Sequence, residues 1–74
     1  MEKKVLAIIN DIRKSKEMRL LTELNEKSKL RDDLGLTSFD LAELTVNLED
    51  EFEIDIFEDG LVNTVGEIYA KLQR

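Results

Sequence analysis

The sequence predicts an all-α fold, a four-helix bundle with three main helices, one short helix and a long first loop. In three segments, apolar side chains recur every three or four residues, the spacing that places them on one face of a helix. The short alternation "EIDI", residues 53–56, has no second segment with which it could pair as a strand, and an isolated strand of four residues is not stable.

The first predicted helix covers residues 2–14, and a long loop follows it. The apolar stripe of this helix consists of Val5, Ile8, Ile9 and Ile12. From Ser15 to Thr37 six leucines recur without one period, which predicts an ordered loop with a helical turn around residues 19–25. Loops of this length are uncommon in compact domains, and the leucines indicate that this one is pinned to the core.

The second helix, residues 38–52, has the strongest periodicity in the chain. Its core face carries Leu41, Leu44, Leu48 and Phe52. Polar residues fall largely on the opposite, solvent side: Asp40, Glu43, Asn47, Asp50 and Glu51. A narrower apolar strip, formed by Phe39, Ala42 and Val46, is either the margin of the core or a contact surface for another molecule.

The C-terminal part predicts a short helical turn ending near Gly60 and a last helix that begins at Thr64. Thr64 and Glu67 have the spacing of a capping box. Gly66 costs the helix about 1 kcal/mol relative to alanine, so the helix depends on packing. The predicted core contains Val5, Ile8, Ile9, Ile12, Leu41, Leu44, Leu48, Phe52, Val65, Ile68 and Leu72.

The composition predicts one small domain, residues 1–74, that is not an enzyme. A chain of 74 residues buries too little surface for two cores. It contains neither cysteine nor histidine, which removes the commonest zinc ligands and every Ser-His or Cys-His dyad, so we predict no catalytic residue and no metal site. The absence of a long apolar run predicts a cytoplasmic location without membrane insertion.

Charge is distributed unevenly along the chain. Residues 1–31 contain nine basic and five acidic side chains, whereas residues 32–70 contain twelve acidic and no basic ones. An acidic surface repels nucleic acid and attracts basic protein surfaces. These charges are equally consistent with a surface that only keeps the protein soluble.

Two adjacent hydroxyls, Thr37 and Ser38, stand where the loop becomes the second helix. Thr37 fits a capping box with Asp40 and is explained by it. Ser38 is not needed as a cap, and it lies at the positive end of a helix dipole, where a phosphate is favoured. Because the chain has no histidine or cysteine to activate it, Ser38 is better interpreted as a substrate that receives a phosphate-linked group than as a nucleophilic catalyst.

The stretch "DDLGLTSFDLAELTVNLEDEFEIDI", residues 32–56, resembles the acyl carrier proteins, whose signature is a D-L-G loop, a D-S-L-type triplet and a helix ending in E-E-F. The resemblance runs without gaps from Asp33 to Ile56 and more loosely over the whole chain. It implies an acyl-carrier-type four-helix bundle in which a phosphopantetheinyl transferase, using coenzyme A, joins 4'-phosphopantetheine to Ser38. The thiol of this arm carries acyl groups as thioesters.

The resemblance also implies which residues meet partner enzymes. In the family the second helix is the recognition helix, which assigns partner recognition to Asp40, Glu43, Glu49 and Asp50, with Phe39 and Val46 as apolar contacts. The implied partners are the transferase and acyl-transferring, ligase or synthase enzymes with basic docking patches. The protein is expected to be a monomer that serves fatty-acid, polyketide or specialised acyl transfer and does not bind nucleic acid.

Three departures from the family pattern leave more than one function open. Thr37 replaces the usual aspartate, Phe39 replaces the usual leucine, and "FEDGLVN" is about two residues shorter than in bacterial fatty-acid carriers. A specialised carrier loaded by a stand-alone ligase is therefore as plausible as a housekeeping one. An aminoacyl or peptidyl carrier is disfavoured by the acidic charge but stays open, as does a helical interaction module that is never modified.

Overall fold

The computed structural model describes residues 1–58 and 60–73, and these form three helices. They are α1 (Glu2–Ser15), α2 (Ser38–Phe52) and α3 (Val65–Leu72). Among the described residues there is no strand, and an isolated antiparallel bridge joins Lys29 to Thr64. The all-α prediction is thereby confirmed for this part of the chain. Of the helices in the described ranges, none is long and apolar enough to cross a membrane.

Two smaller predictions about helical turns are corrected or not confirmed. Residues 19–25 contain no helical turn, and the turns of the loop lie on either side of them, at residues 16–17, 26–27 and 30–34. The predicted short helix near Gly60 is not confirmed, since residues 56–58 form a turn and Asp59 lies outside the described residues.

The core combines the helix stripes with side chains from the loops. Buried hydrophobic residues from the helices are Val5, Ile9, Ile12, Leu44, Leu48, Val65, Ile68 and Tyr69. The remaining residues of the predicted core, Ile8, Leu41, Phe52 and Leu72, are partly buried and pack against this cluster. The loops add Leu30, Leu34, Leu36, Ile56 and Val62, none of which was in the predicted core. The expectation that the leucine-rich loop is pinned to the core is confirmed.

The long loop is also hydrogen-bonded to the start of α3. The Val65 amide donates to the Ser28 carbonyl at 3.1 Å, and the Gly66 amide donates to the Glu26 carbonyl at 2.8 Å. A Cβ atom at Gly66 would lie 3.0 Å from that same Glu26 oxygen, so glycine permits the close approach of the two backbones. The predicted capping box of Thr64 and Glu67 is present.

Candidate functional site

A tight turn fixes the backbone that leads into α2. The Leu34 amide donates to the Lys29 carbonyl at 3.1 Å, and the Gly35 amide donates to the Arg31 carbonyl at 3.1 Å. Gly35 has φ +72°, a left-handed conformation that glycine adopts without strain. Leu34 and Leu36 are buried on either side of it, so the core holds the turn in place.

Thr37 caps α2 as predicted. Its Oγ1 accepts a hydrogen bond from the Asp40 amide at 3.2 Å, and the Thr37 amide donates to Asp40 Oδ2 at 2.8 Å. This reciprocal pair is a complete capping box. The hydroxyl of Thr37 is therefore engaged in starting the helix.

Asp40 is not on the solvent side, so that part of the prediction is wrong. It is only 6% exposed, and its Oδ2 accepts a hydrogen bond from Lys16 Nζ at 2.5 Å in addition to the one from Thr37. The reason is the capping box, which turns the carboxylate back toward the loop and the end of α1. The carboxylate is therefore bound within the fold.

The environment of Asp40 lowers the pKa of its carboxyl. Burial by itself raises this pKa, but the hydrogen bonds from Lys16 and Thr37, together with the positive charge of Lys16, outweigh burial. The net result is a pKa below the usual value of 3.8. Asp40 is consequently ionised at neutral pH and attracts both the ammonium group and the amide.

Ser38 is exposed at the first position of α2. Within the described residues its hydroxyl makes no hydrogen bond, and the amides of Ser38 and Phe39 have no acceptor there either. Open amides at the start of a helix, together with the helix dipole, favour a negatively charged group. A phosphate-linked arm therefore fits the chemistry of this helix end.

Residues 15–72 match the model of the phosphopantetheine attachment site family, which covers most of the chain. The chain belongs to this family. Domains of this family are the sites where 4'-phosphopantetheine is covalently attached, so the protein is a phosphopantetheine-carrying carrier protein. Carrier domains are in general not catalytic, and they interact with the enzymes that modify them and with those that handle their acyl groups.

The exposure of the narrower apolar strip of α2, formed by Phe39, Ala42 and Val46, shows whether it belongs to the core. Phe39 is 79% exposed and Val46 is 58% exposed, and Ala42 is exposed as well. The strip is therefore not a margin of the core. Glu43 and Asp50 lie in line with Phe39 and Val46, because residues 39, 43, 46 and 50 are spaced by four, three and four along the helix. We call these four residues the outer stripe of α2.

Two basic residues at the end of α1 contact the turn before α2 and were not predicted to do so. Arg13 is only 7% exposed, and its Nη1 donates to the Leu34 carbonyl. Lys16 Nζ donates to the Gly35 carbonyl at 2.7 Å and to Asp40. For Arg13 there was a signal, because it lies four residues after Ile9 and so continues the buried stripe. Lys16 lies four residues after Ile12 in the same way, but nothing in the local pattern indicates its contacts with Gly35 and Asp40.

Proposed function

We propose that Ser38 is the attachment residue for 4'-phosphopantetheine and that the protein carries acyl groups as thioesters on this arm. The observation that carries the proposal is the exposed Ser38 hydroxyl, free of hydrogen bonds within the described residues, at the first position of a capped helix. The chain has two more serines. The Ser15 hydroxyl donates to the Ile12 carbonyl at 2.7 Å, and Ser28 is partly buried in the long loop.

The transfer to Ser38 balances as a substitution at phosphorus. A bond forms between Ser38 Oγ and the pantetheine phosphate of coenzyme A, and the phosphoanhydride bond of coenzyme A breaks. The serine proton is lost, and adenosine 3',5'-bisphosphate leaves. Because the Ser38 hydroxyl is hydrogen-bonded to no base within the described residues, the transferase supplies the base that removes this proton.

Intact-mass measurement tests this assignment directly. Wild-type protein incubated with coenzyme A and a phosphopantetheinyl transferase is expected to gain the mass of one phosphopantetheine group, and Ser38→Ala is expected to gain none. Ser28→Ala is the matched control and is expected to be modified like the wild type. A mass gain that persists in Ser38→Ala would contradict the assignment, and a wild type that gains no mass would favour an unmodified helical module.

We further propose that the outer stripe of α2, extended by Glu49, is the surface that meets partner enzymes. Single exposed apolar side chains are common on protein surfaces, but Phe39 and Val46 lie on one line of α2, where they alternate with carboxylates. Residues 32–70 contain no lysine or arginine, so this surface is complementary to a basic patch that surrounds an apolar contact. Asp40, which the resemblance included, is left out because its carboxylate is occupied.

Charge reversal on this stripe tests the recognition role. Glu43→Lys is expected to raise the KM of the transferase, or of an acyl ligase, for this carrier by about tenfold at low salt, and the effect should shrink as salt is added. Glu23→Lys makes the same charge change on the exposed loop and serves as the control. An equal rise in KM for both variants would show a general charge effect in place of a docking surface.

The cargo we propose is an acyl group of fatty-acid, polyketide or specialised acyl transfer. The acidic charge of residues 32–70 supports acyl over aminoacyl cargo. Loading assays on the modified protein, with a fatty-acid adenylating ligase and an amino-acid adenylating ligase in parallel, separate the two. A carrier loaded only by the amino-acid ligase would contradict this part of the proposal.

A further inference from the structure

We propose that Lys16 is a positioning residue for the modification of Ser38. From the end of α1, its ammonium group fixes the two backbone segments between which Ser38 lies. This inference rests on the proposed attachment at Ser38 and adds a residue to it that is distant in sequence. Lys16 does not itself touch the reacting atoms in this proposal, and it acts through the residues that it holds.

The contacts of the Lys16 ammonium group reach both sides of the serine. Nζ donates to the Gly35 carbonyl at 2.7 Å, three residues before Ser38, and to Asp40 Oδ2 at 2.5 Å, two residues after it. Lys16 is the C-cap residue of α1, so its backbone is tied to that helix. One side chain thereby joins the end of α1, the turn before α2 and the first turn of α2.

The contact between Lys16 and Asp40 involves the same carboxylate oxygen that closes the capping box of α2. The same oxygen accepts hydrogen bonds from Lys16 Nζ and from the Thr37 amide. The Lys16 ammonium therefore fixes the carboxylate that closes the capping box directly around Ser38. Without it, the turn would lose a contact at the Gly35 carbonyl, and a nearly buried carboxylate would lose its countercharge.

Arg13 supports the same turn from the same end of α1. Its Nη1 donates to the Leu34 carbonyl, and its Nε donates to the Arg19 carbonyl at 3.1 Å. Two consecutive carbonyls of the turn, those of Leu34 and Gly35, thus accept from Arg13 in the last turn of α1 and from its C-cap residue Lys16. Arg13 is buried, and its replacement would affect folding broadly, whereas the Lys16 side chain is 28% exposed and is the better residue to test.

The functional consequence follows from the geometry of group transfer. The serine oxygen must approach phosphorus in line with the leaving oxygen, and a displacement of about 1 Å can cost about a hundredfold in rate. Within residues 1–58 and 60–73, the hydrogen bonds of Lys16 go to Gly35 and Asp40 and not to the outer stripe of α2, so docking through that stripe should survive its loss. Removing the ammonium group is therefore expected to lower kcat more than it raises KM.

The test measures phosphopantetheine transfer to a set of folded variants. Lys16→Met keeps the apolar stem and removes the charge, and its kcat is expected to fall about tenfold while KM changes less than about threefold. Lys16→Arg restores a cation and is expected to recover most of kcat. Lys14→Met, on the exposed side of the last turn of α1, makes the same charge change and is expected to behave like the wild type.

A spectroscopic measurement accompanies the kinetics. In 15N–1H spectra of the unmodified protein, Lys16→Met is expected to shift the amide signals of Thr37, Ser38 and Asp40 and to speed hydrogen exchange at the Asp40 amide. Lys14→Met should leave them unchanged. If Lys16→Met is too unstable for kinetics, Asp40→Asn removes the same ion pair from the opposite side, and its kcat is likewise expected to fall more than its KM rises.

The possible outcomes separate this inference from the assignment of Ser38. If the wild type gains no phosphopantetheine, the attachment proposal fails and the role of Lys16 fails with it. If Ser38→Ala is unmodified but Lys16→Met reacts with wild-type kcat and KM, the attachment stands and the role of Lys16 is overturned. Unchanged amide signals around Ser38 in Lys16→Met would also overturn it.

Discussion

Helices α2 and α3 begin with the same capping box, but the amides of their first turns differ in what they bind. At α3, the amides of Val65 and Gly66 donate to carbonyls of the long loop, and the Glu67 amide donates to the Thr64 hydroxyl. Every amide of that helix start thus has a partner from the chain. The first turn of α3 is a joint between two parts of the fold.

At α2, the first turn is left open. The Asp40 amide is bound by the Thr37 hydroxyl, but the amides of Ser38 and Phe39 have no partner within residues 1–58 and 60–73. The two boxes also differ in burial, because Asp40 is nearly buried against Lys16 while Glu67 is exposed. The same motif therefore begins a helix that is bound to the long loop in one case and a helix with open amides in the other. The difference comes from the segments that lie next to each helix start.

Removing the acid of each box should give the largest difference between the two helix starts. Asp40→Ala is expected to lower the free energy of unfolding by about 2–3 kcal/mol, since it removes a nearly buried ion pair as well as a cap. Glu67→Ala removes an exposed cap partner and is expected to cost about 1 kcal/mol. Urea unfolding of both variants measures the two values, and equal costs would contradict the comparison.

The capping box of α2, in which the Asp40 carboxylate is nearly buried, should also make the stability of the protein depend on pH in the acid range. Because the pKa of Asp40 is lowered in the folded state, its carboxylate stabilises the fold above the usual value of 3.8. This stabilisation is lost as the pH falls through the folded-state pKa. The difference in stability between wild type and Asp40→Asn is therefore expected to be greatest near neutral pH and to shrink below pH 3.8. Thermal unfolding across the acid range checks this, and a difference that grows on acidification would contradict the sign.

Adding a side chain at Gly66 should weaken the contact between the start of α3 and the long loop. An alanine in an ordinary helix position is more favourable than glycine by about 1 kcal/mol. At Gly66, however, the new Cβ would crowd the Glu26 carbonyl, which belongs to the backbone. Gly66→Ala is therefore expected to destabilise the protein by about 1 kcal/mol, a combination of gained propensity and lost contact. Denaturant unfolding measures the change, and stabilisation by the alanine would refute the crowding.

The smallest effect on stability is expected at the matching position of α2. Phe39, like Gly66, is the second residue of its helix, but it is 79% exposed. Phe39→Ala is expected to change the free energy of unfolding by less than about 0.5 kcal/mol while weakening binding to the transferase. Unfolding and binding measured on the same sample test both statements. A large loss of stability would mean that Phe39 belongs to the core.

The features that the sequence predicts well are those encoded locally. Helix stripes repeat within one segment, and each capping box places its two residues three positions apart, so both boxes were predictable. The direction of the Asp40 side chain was not predictable. Helical periodicity places it on the solvent side, but the cap turns it inward, and its partner Lys16 lies 24 residues earlier, beyond any local pattern.

The residues that the loops contribute to the core could also not be predicted from periodicity. Leu30, Leu34 and Leu36 are buried by a turn, in which burial does not follow a fixed period. The same holds for Ile56 and Val62, which flank the segment expected to be a short helix. Their hydrophobicity indicated burial somewhere, but only the three-dimensional path of the loop determines which leucines are inside and which, like Leu20, stay exposed.

The hydrogen bonds between the long loop and α3 have a consequence for how the protein unfolds. A helix of eight residues is too short to persist alone in water. Since the amides of Val65 and Gly66 are bound by loop carbonyls, α3 and residues 26–30 should open together as one cooperative unit. Hydrogen exchange would then report matching opening free energies for the amides of Leu30 and Val65, residues far apart in the chain.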